Sequence, residues 1–90
     1  VLLRSSAFVR AAKRAVRRDR NASASLRATL GLLEADAFDP RLRTHKLKGE
    51  FAGMWSCSAG HDLRIVFAIV KSDGGESIVL VSCGTHDQVY

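Results

Sequence analysis

Ninety residues can enclose one modest hydrophobic core and leave no room for a second with its own function, so any active surface must be built on the core that holds the fold together. The formal charge of +5 is unevenly divided: residues 1 to 50 hold twelve Lys/Arg and five Asp/Glu, a net of +7, and residues 51 to 90 hold two and four, a net of −2. A half-molecule that basic suits a polyanion or an acidic protein, because phosphate backbones attract it through counterion release; a basic surface that serves only solubility is the other reading.

In chain order, Val1-Leu2-Leu3 is a short apolar run followed at once by Ser5-Ser6, which predicts a strand over residues 1–4 handing over to a helix N-cap. From Ser6 to about Arg18 the apolar set Phe8, Ala12, Ala15 and Val16 follows a helical period. Arg10, Lys13, Arg14, Arg17 and Arg18 occupy the other face. Asp19-Arg20-Asn21 breaks the pattern, and a second helix from about Ala22 to Ala37 carries Leu26, Leu30, Leu33 and Ala37 on one stripe. So short a polar connection makes the two helices antiparallel neighbours.

Phe38-Asp39-Pro40 ends the second helix, because proline cannot continue the hydrogen-bond ladder, and a loop is expected as far as Gly53. Beyond it the period changes to two. Met54–Ala59, Leu63–Val70 and Ser77–Cys83 read as strands, and Ser72-Asp73-Gly74-Gly75 between the last two is a hairpin signal. Residues 65–70 and 78–81 are apolar on both parities, which predicts central strands covered on both faces. The order strand, helix, helix, three strands gives an α+β fold with the helices on one face of a twisted sheet, in one domain spanning residues 1–90.

Cys57 and Cys83 lie in apolar runs without CxxC spacing, and read as reduced core residues, with a disulfide between neighbouring strands as the alternative. No apolar run approaches the roughly 20 residues of a membrane span. With no signal peptide, the expected location is the cytoplasm. The sequence starts at Val1, so a few N-terminal residues of the natural protein are expected to be missing.

Three histidines, His45, His61 and His86, lack metal-ligand spacing, and none has a serine in a nucleophile elbow, which argues against a zinc enzyme or an acyl-transfer hydrolase and for no cofactor. Metal-free RNA cleavage needs a base for the 2′-hydroxyl, an acid for the leaving 5′-oxygen, and cations for the charged phosphorane. Histidine suits the first two roles, and arginine or lysine the third. Lys46, Lys48 and the helical cluster read as phosphate-positioning groups, with a solvated helix face as the alternative for the cluster. Trp55 is either a base-stacking ring or core and cleft wall. A histidine such as His86 can also serve only to hold a backbone carbonyl.

His45-Lys46-Leu47-Lys48-Gly49 together with Trp55-Ser56-Cys57, Asp62-Leu63-Arg64-Ile65-Val66-Phe67 and the ending Gly84-Thr85-His86-Asp87-Gln88-Val89-Tyr90 resembles the YafQ-type branch of the RelE/ParE toxin superfamily. The likeness runs from Phe8 to Tyr90. It implies a β-α-α-β-β-β fold on a mainly antiparallel sheet, and a type II toxin that enters the ribosomal A site and cuts mRNA. The expected partners are the ribosome, mRNA and a cognate antitoxin, in a toxin–antitoxin hetero-oligomer. His86 matches the catalytic histidine of GTH, with Tyr90 beside it, His45 the histidine that opens the HPLKG-like segment, and Asp62 the aspartate before a strand.

The chain departs from that pattern at Lys46, where proline is common, and at three further positions. Ser58 stands where a further catalytic histidine is expected, Leu63 where a tryptophan is, and Ser82 where an arginine supports the phosphate. Arg64, at i+2 from Asp62 and so expected on the same face, is the candidate replacement cation; a paired structural arginine is the alternative. His61 is the candidate to replace the histidine absent at 58. The two serines keep open a ParE-type toxin that inhibits DNA gyrase, or a homologue that only binds its antitoxin.

Overall fold

The computed structural model describes residues 2–60, 62–85 and 89. Leu2–Arg4 form β1, and Ser5 turns the chain into α1, Ser6–Arg18. The Ser5 hydroxyl accepts from the Phe8 N–H at 3.0 Å, which caps one of the donors a helix start leaves unpaired. The same hydroxyl donates to the Val81 carbonyl at 3.1 Å, and the Ser5 N–H donates to Leu80 O at 3.0 Å. One residue therefore fixes both the start of α1 and its attachment to the last strand.

Asp19-Arg20 connects α1 to α2, Asn21–Ala35. This helix ends two residues before the expected Ala37. The Asp36 N–H still bonds to Leu32 O, but the Asp36 carboxylate accepts from the Phe38 N–H at 3.0 Å, closing a turn that competes with a further helical turn. The loop that follows contains two short 3-10 turns, Pro40–Leu42 and Gly49–Phe51, and between them β2, His45–Lys46, where only loop was expected. Two residues carry no readable period, and β2 exists because it pairs with β3, Trp55–Ser58. β4, Leu63–Ser72, and β5, Gly75–Thr85, form a hairpin across Asp73-Gly74. Gly75, paired with Ser72, has φ 113°, a conformation that favours glycine.

Among the described residues the sheet has five strands in the order β1-β5-β4-β3-β2; β1 is parallel to β5 and the remaining pairs are antiparallel. β5 and β4 are thus central. Ile65, Val66 and Phe67 are each 0% exposed, so both parities of β4 are covered there, as their apolar sequence predicts. The core lies on one face, where Phe8 and Ala11 of α1, Leu26 and Leu33 of α2, and Leu42 pack with Cys57, Ile65, Phe67, Leu80 and Cys83 of the sheet. The α1 stripe therefore uses Ala11, whereas Val16, expected inside, is 37% exposed. On α2 the buried set is Ala22, Leu26, Thr29 and Leu33, with the Thr29 hydroxyl satisfied by Ser25 O at 2.7 Å.

The β4–β5 register slips by one residue between Val66, opposite Ser82, and Phe67, opposite Leu80. Val81 is the extra residue, and its carbonyl is the one that Ser5 caps. Among the described residues no helix is long and apolar enough to cross a membrane.

Candidate functional site

Alternation along a strand sends successive side chains to opposite faces of the sheet. His45 is opposite Ser56, Ser56 opposite Val66, and Val66 opposite Ser82, so these four make one row across the sheet. The next row is Ser58, Arg64 and Gly84. Both rows lie on the face away from the helices, because the alternate residues Cys57, Ile65 and Cys83 are in the core. His45 and Arg64 thus share a face, two strands and two residues apart, about 12 Å between Cα atoms. Ser56 and Val66 between them are each 0% exposed, so this face is covered at its centre, with the exposed His45 on one side and the half-buried Arg64 on the other.

His45 is exposed, and its Nδ1 is 3.1 Å from the Arg43 carbonyl. A carbonyl only accepts, so in this hydrogen bond Nδ1 carries the hydrogen, which in the neutral ring makes Nε2 the acceptor nitrogen. Arg43 closes the preceding 3-10 turn with φ 54°, in the left-handed region, and this turns its carbonyl toward the ring. Arg64 is half-buried and donates to Leu63 O at 3.2 Å; among the described residues it is in no ion pair. Ser56 and Ser58 are the polar half of the alternation Trp55-Ser56-Cys57-Ser58, a signal readable in the sequence once the strand is recognised.

The remaining candidates separate. Lys46 pairs with Trp55, on the helix-covered face, and its Nζ lies 5.4 Å from the centre of the indole ring. The indole also meets Phe38 edge-on at 5.0 Å, so Trp55 is a half-buried wall element. Lys48 is exposed at the start of the second 3-10 turn. Asp62 stands in a bend before β4 begins at Leu63, so strand alternation does not tie it to Arg64. It lines a cavity of about 480 Å³ with Arg18, Asp19, Ser25 and Gly60.

The helical cluster divides as well. Arg14, Arg17 and Arg18 border a second cavity, of about 440 Å³, together with Ser82 and Cys83. Arg10 and Lys13 are exposed on α1 outside it. His61, His86 and Tyr90 lie outside the described residues.

Cys57 and Cys83 are free and buried. Burial pushes the Cys57 thiol up to about 12, against a weaker opposing bond from the Ile65 backbone and the charge of Arg64, and pushes Cys83 up to about 11 against the charge of Arg14. Neither is poised as a nucleophile. Among the described residues no group of three or more His, Cys, Asp and Glu side chains could hold a metal ion. The sequence reading missed the Arg41–Asp39 ion pair, with N···O 2.8 Å, which holds the Asp39 carboxyl down to about 2 through its hydrogen bonds to Arg41 and whose i, i+2 spacing across Pro40 was its only signal.

The model of the family described as YafQ, bacterial toxin of type II toxin–antitoxin system, matches residues 2–90. No curated protein matches the chain. Among solved structures, the E. coli DinJ-YafQ complex is similar with TM-score 0.80 at 16% identity, covering 100% of this chain and 97% of that one. A metal-bound toxin from Helicobacter pylori gives 0.78 at 24%, covering 100% and 98%. A YoeB/ParE toxin from Agrobacterium tumefaciens gives 0.76 at 19%, covering 94% and 97%. At such identities these likenesses establish the fold: two helices on a mixed five-stranded sheet.

Proposed function

Because the chain belongs to the YafQ family of bacterial type II toxin–antitoxin toxins, we propose that it is a metal-independent endoribonuclease that cuts mRNA in the ribosomal A site. The placement of His45 and Arg64 on one face of one sheet carries this reading. The reaction begins as a base removes the 2′-hydroxyl proton. The 2′-oxygen then bonds to phosphorus in line with the departing 5′-oxygen, the P–O5′ bond breaks, and an acid protonates the leaving oxygen. The products are a 2′,3′-cyclic phosphate and a 5′-hydroxyl.

His45 and His86 share the base and acid roles, and Tyr90 belongs to the same candidate set. Arg64 neutralises the phosphorane, and Asp62 and His61 are auxiliary candidates. Lys48 and the cationic surface of α1 position the backbone. A ribosome that holds the mRNA splayed for in-line attack supplies orientation, so a sparse catalytic set can suffice.

Residues 1–90 act as one domain, in the cytoplasm where ribosomes are. An antitoxin covers the basic surface in a hetero-oligomer, by analogy with the E. coli DinJ-YafQ toxin–antitoxin complex. Ser58 and Ser82, uncharged on the face that holds Arg64, favour a second reading: a ParE-type toxin that inhibits gyrase, or a homologue that retains only antitoxin binding. Expression without a partner separates them. Pulse labelling should show protein synthesis falling before DNA synthesis, and the reverse order with blocked gyrase supercoiling would select the second reading.

A further inference from the structure

We propose that the groove between the C-terminal half of α1 and the outer edge of β5 seats one backbone phosphate of single-stranded RNA, held by Arg14, Arg17 and Arg18 beside Ser82. This deepens the reading of the protein as an RNA-directed toxin and is independent of whether it cleaves.

β1 pairs with β5 only from Ile78 to Leu80, and the chain then leaves the edge at Ser5 to begin α1. Beyond Leu80, α1 and no described strand borders that side of β5, leaving the cavity of about 440 Å³ between them. Its rim carries three guanidinium groups at i, i+3 and i+4 on one helix. Like charges at that spacing repel. Yet among the described residues none of the three is in an ion pair.

The nearest acid in sequence is turned elsewhere: Asp19 accepts from the Asn21 N–H at 2.9 Å. Among the described residues Arg17 reaches a carbonyl, Lys13 O, through Nε at 3.4 Å. The negative end of the α1 dipole accounts for basic residues in the last turn, Arg17 and Arg18. It does not account for Arg14, one turn earlier, whose charge is felt by the Cys83 thiol on β5. Three guanidiniums at the rim of a cavity, in no ion pair among the described residues, suit an anion with several acceptor oxygens, for which arginine is the preferred partner.

The position selects the anion. Ser82 ends the row that starts at His45, and Gly84, two residues along β5, is opposite Arg64. An RNA backbone lying over Arg64 therefore runs off the sheet into this groove. The bound phosphate is a neighbour of the one nearest Arg64 and fixes the register of the RNA strand.

The test is binding of a single-stranded 2′-O-methyl oligoribonucleotide, which has no 2′-hydroxyl to attack, by fluorescence anisotropy across a salt series. Loss of one phosphate contact should reduce the slope of log K against log salt by about 0.7. That is the expected result for the Arg14→Gln/Arg18→Gln variant. Ser82→Glu, which leaves the arginines in place, should weaken binding by about tenfold or more. Circular dichroism establishes that each variant is folded.

A wild-type protein that does not bind the oligonucleotide, or variants with wild-type slope and affinity, would overturn the proposal. So would variants that keep oligonucleotide binding but lose the antitoxin, which would assign the groove to an acidic segment of that partner. Groove-dependent binding by a wild type that cuts no mRNA on ribosomes would refute the nuclease and leave the phosphate seat standing. Cleavage with groove-indifferent binding would refute the seat alone.

Discussion

Cys57 and Cys83 both sit opposite Ile65, one on β3 and one on β5. Two strand spacings, about 10 Å, separate them, and a disulfide needs Cα atoms within about 7 Å. With both thiols held up by burial, the native protein should resist thiol reagents at pH 8 and label fully in denaturant; rapid labelling of the folded protein would contradict their place in the core. Each thiol ionises at higher pH in the folded protein, about 12 and about 11, than at its ordinary value of 9.0. Their contribution to stability is therefore complete below pH 9 and lost as pH rises toward 11 to 12, which thermal melts across that range would register. His45 and Lys46 are adjacent in sequence and on opposite faces of the sheet, so truncating them should have unequal effects. His45→Ala should lower mRNA cleavage on the order of 10²-fold or more. Lys46→Ala, removing a cation that lies over Trp55, should leave the cleavage rate within a few-fold by primer extension.

At the scale of elements, Ser5 and the bulge at Val81 are one device, since the hydroxyl that caps α1 also holds the bulged carbonyl. Ser5→Ala should cost about 1 to 2 kcal/mol, read as a lower urea midpoint with unchanged slope. α1, α2 and β3 to β5 were legible because each runs long enough to display its period of 3.6 or 2. β2 was not, because two residues display none and only pairing with β3 creates it. α2 was read too long because the stripe continues to Ala37, while the Asp36 side chain stops the helix by bonding to Phe38 N–H. On α1, Ala11 and Val16 both fit a helical stripe, and the packing against β5 decided between them. The candidate site was legible as a set of residues through resemblance, but not as a surface. That His45 and Arg64 share a face, and that Lys46 does not, follows from the β2–β3–β4 register, which no local pattern encodes.

Over the whole molecule the +7 half contains both helices and the first two strands, and the −2 half supplies the core of the sheet. The cations of α1 are therefore brought beside the edge of β5 by folding, although some seventy residues of sequence separate Arg14 from Ser82. Such an arrangement presents charge to an extended anion at the margin of a rigid surface, where binding can be strong without demanding much of the 90-residue core. The sheet itself holds His45 and Arg64 on strands rather than loops, which favours precise placement of a reacting phosphate. The most direct test is primer extension on mRNA in a reconstituted translation system, comparing wild type with a folded Arg64→Ala variant. Wild-type cuts should fall at A-site codons and end in a 2′,3′-cyclic phosphate, with on the order of 10²-fold less cutting by Arg64→Ala. Undiminished cutting by that variant, or no cutting by a folded, antitoxin-binding wild type, would contradict the assignment of this face as a nuclease site.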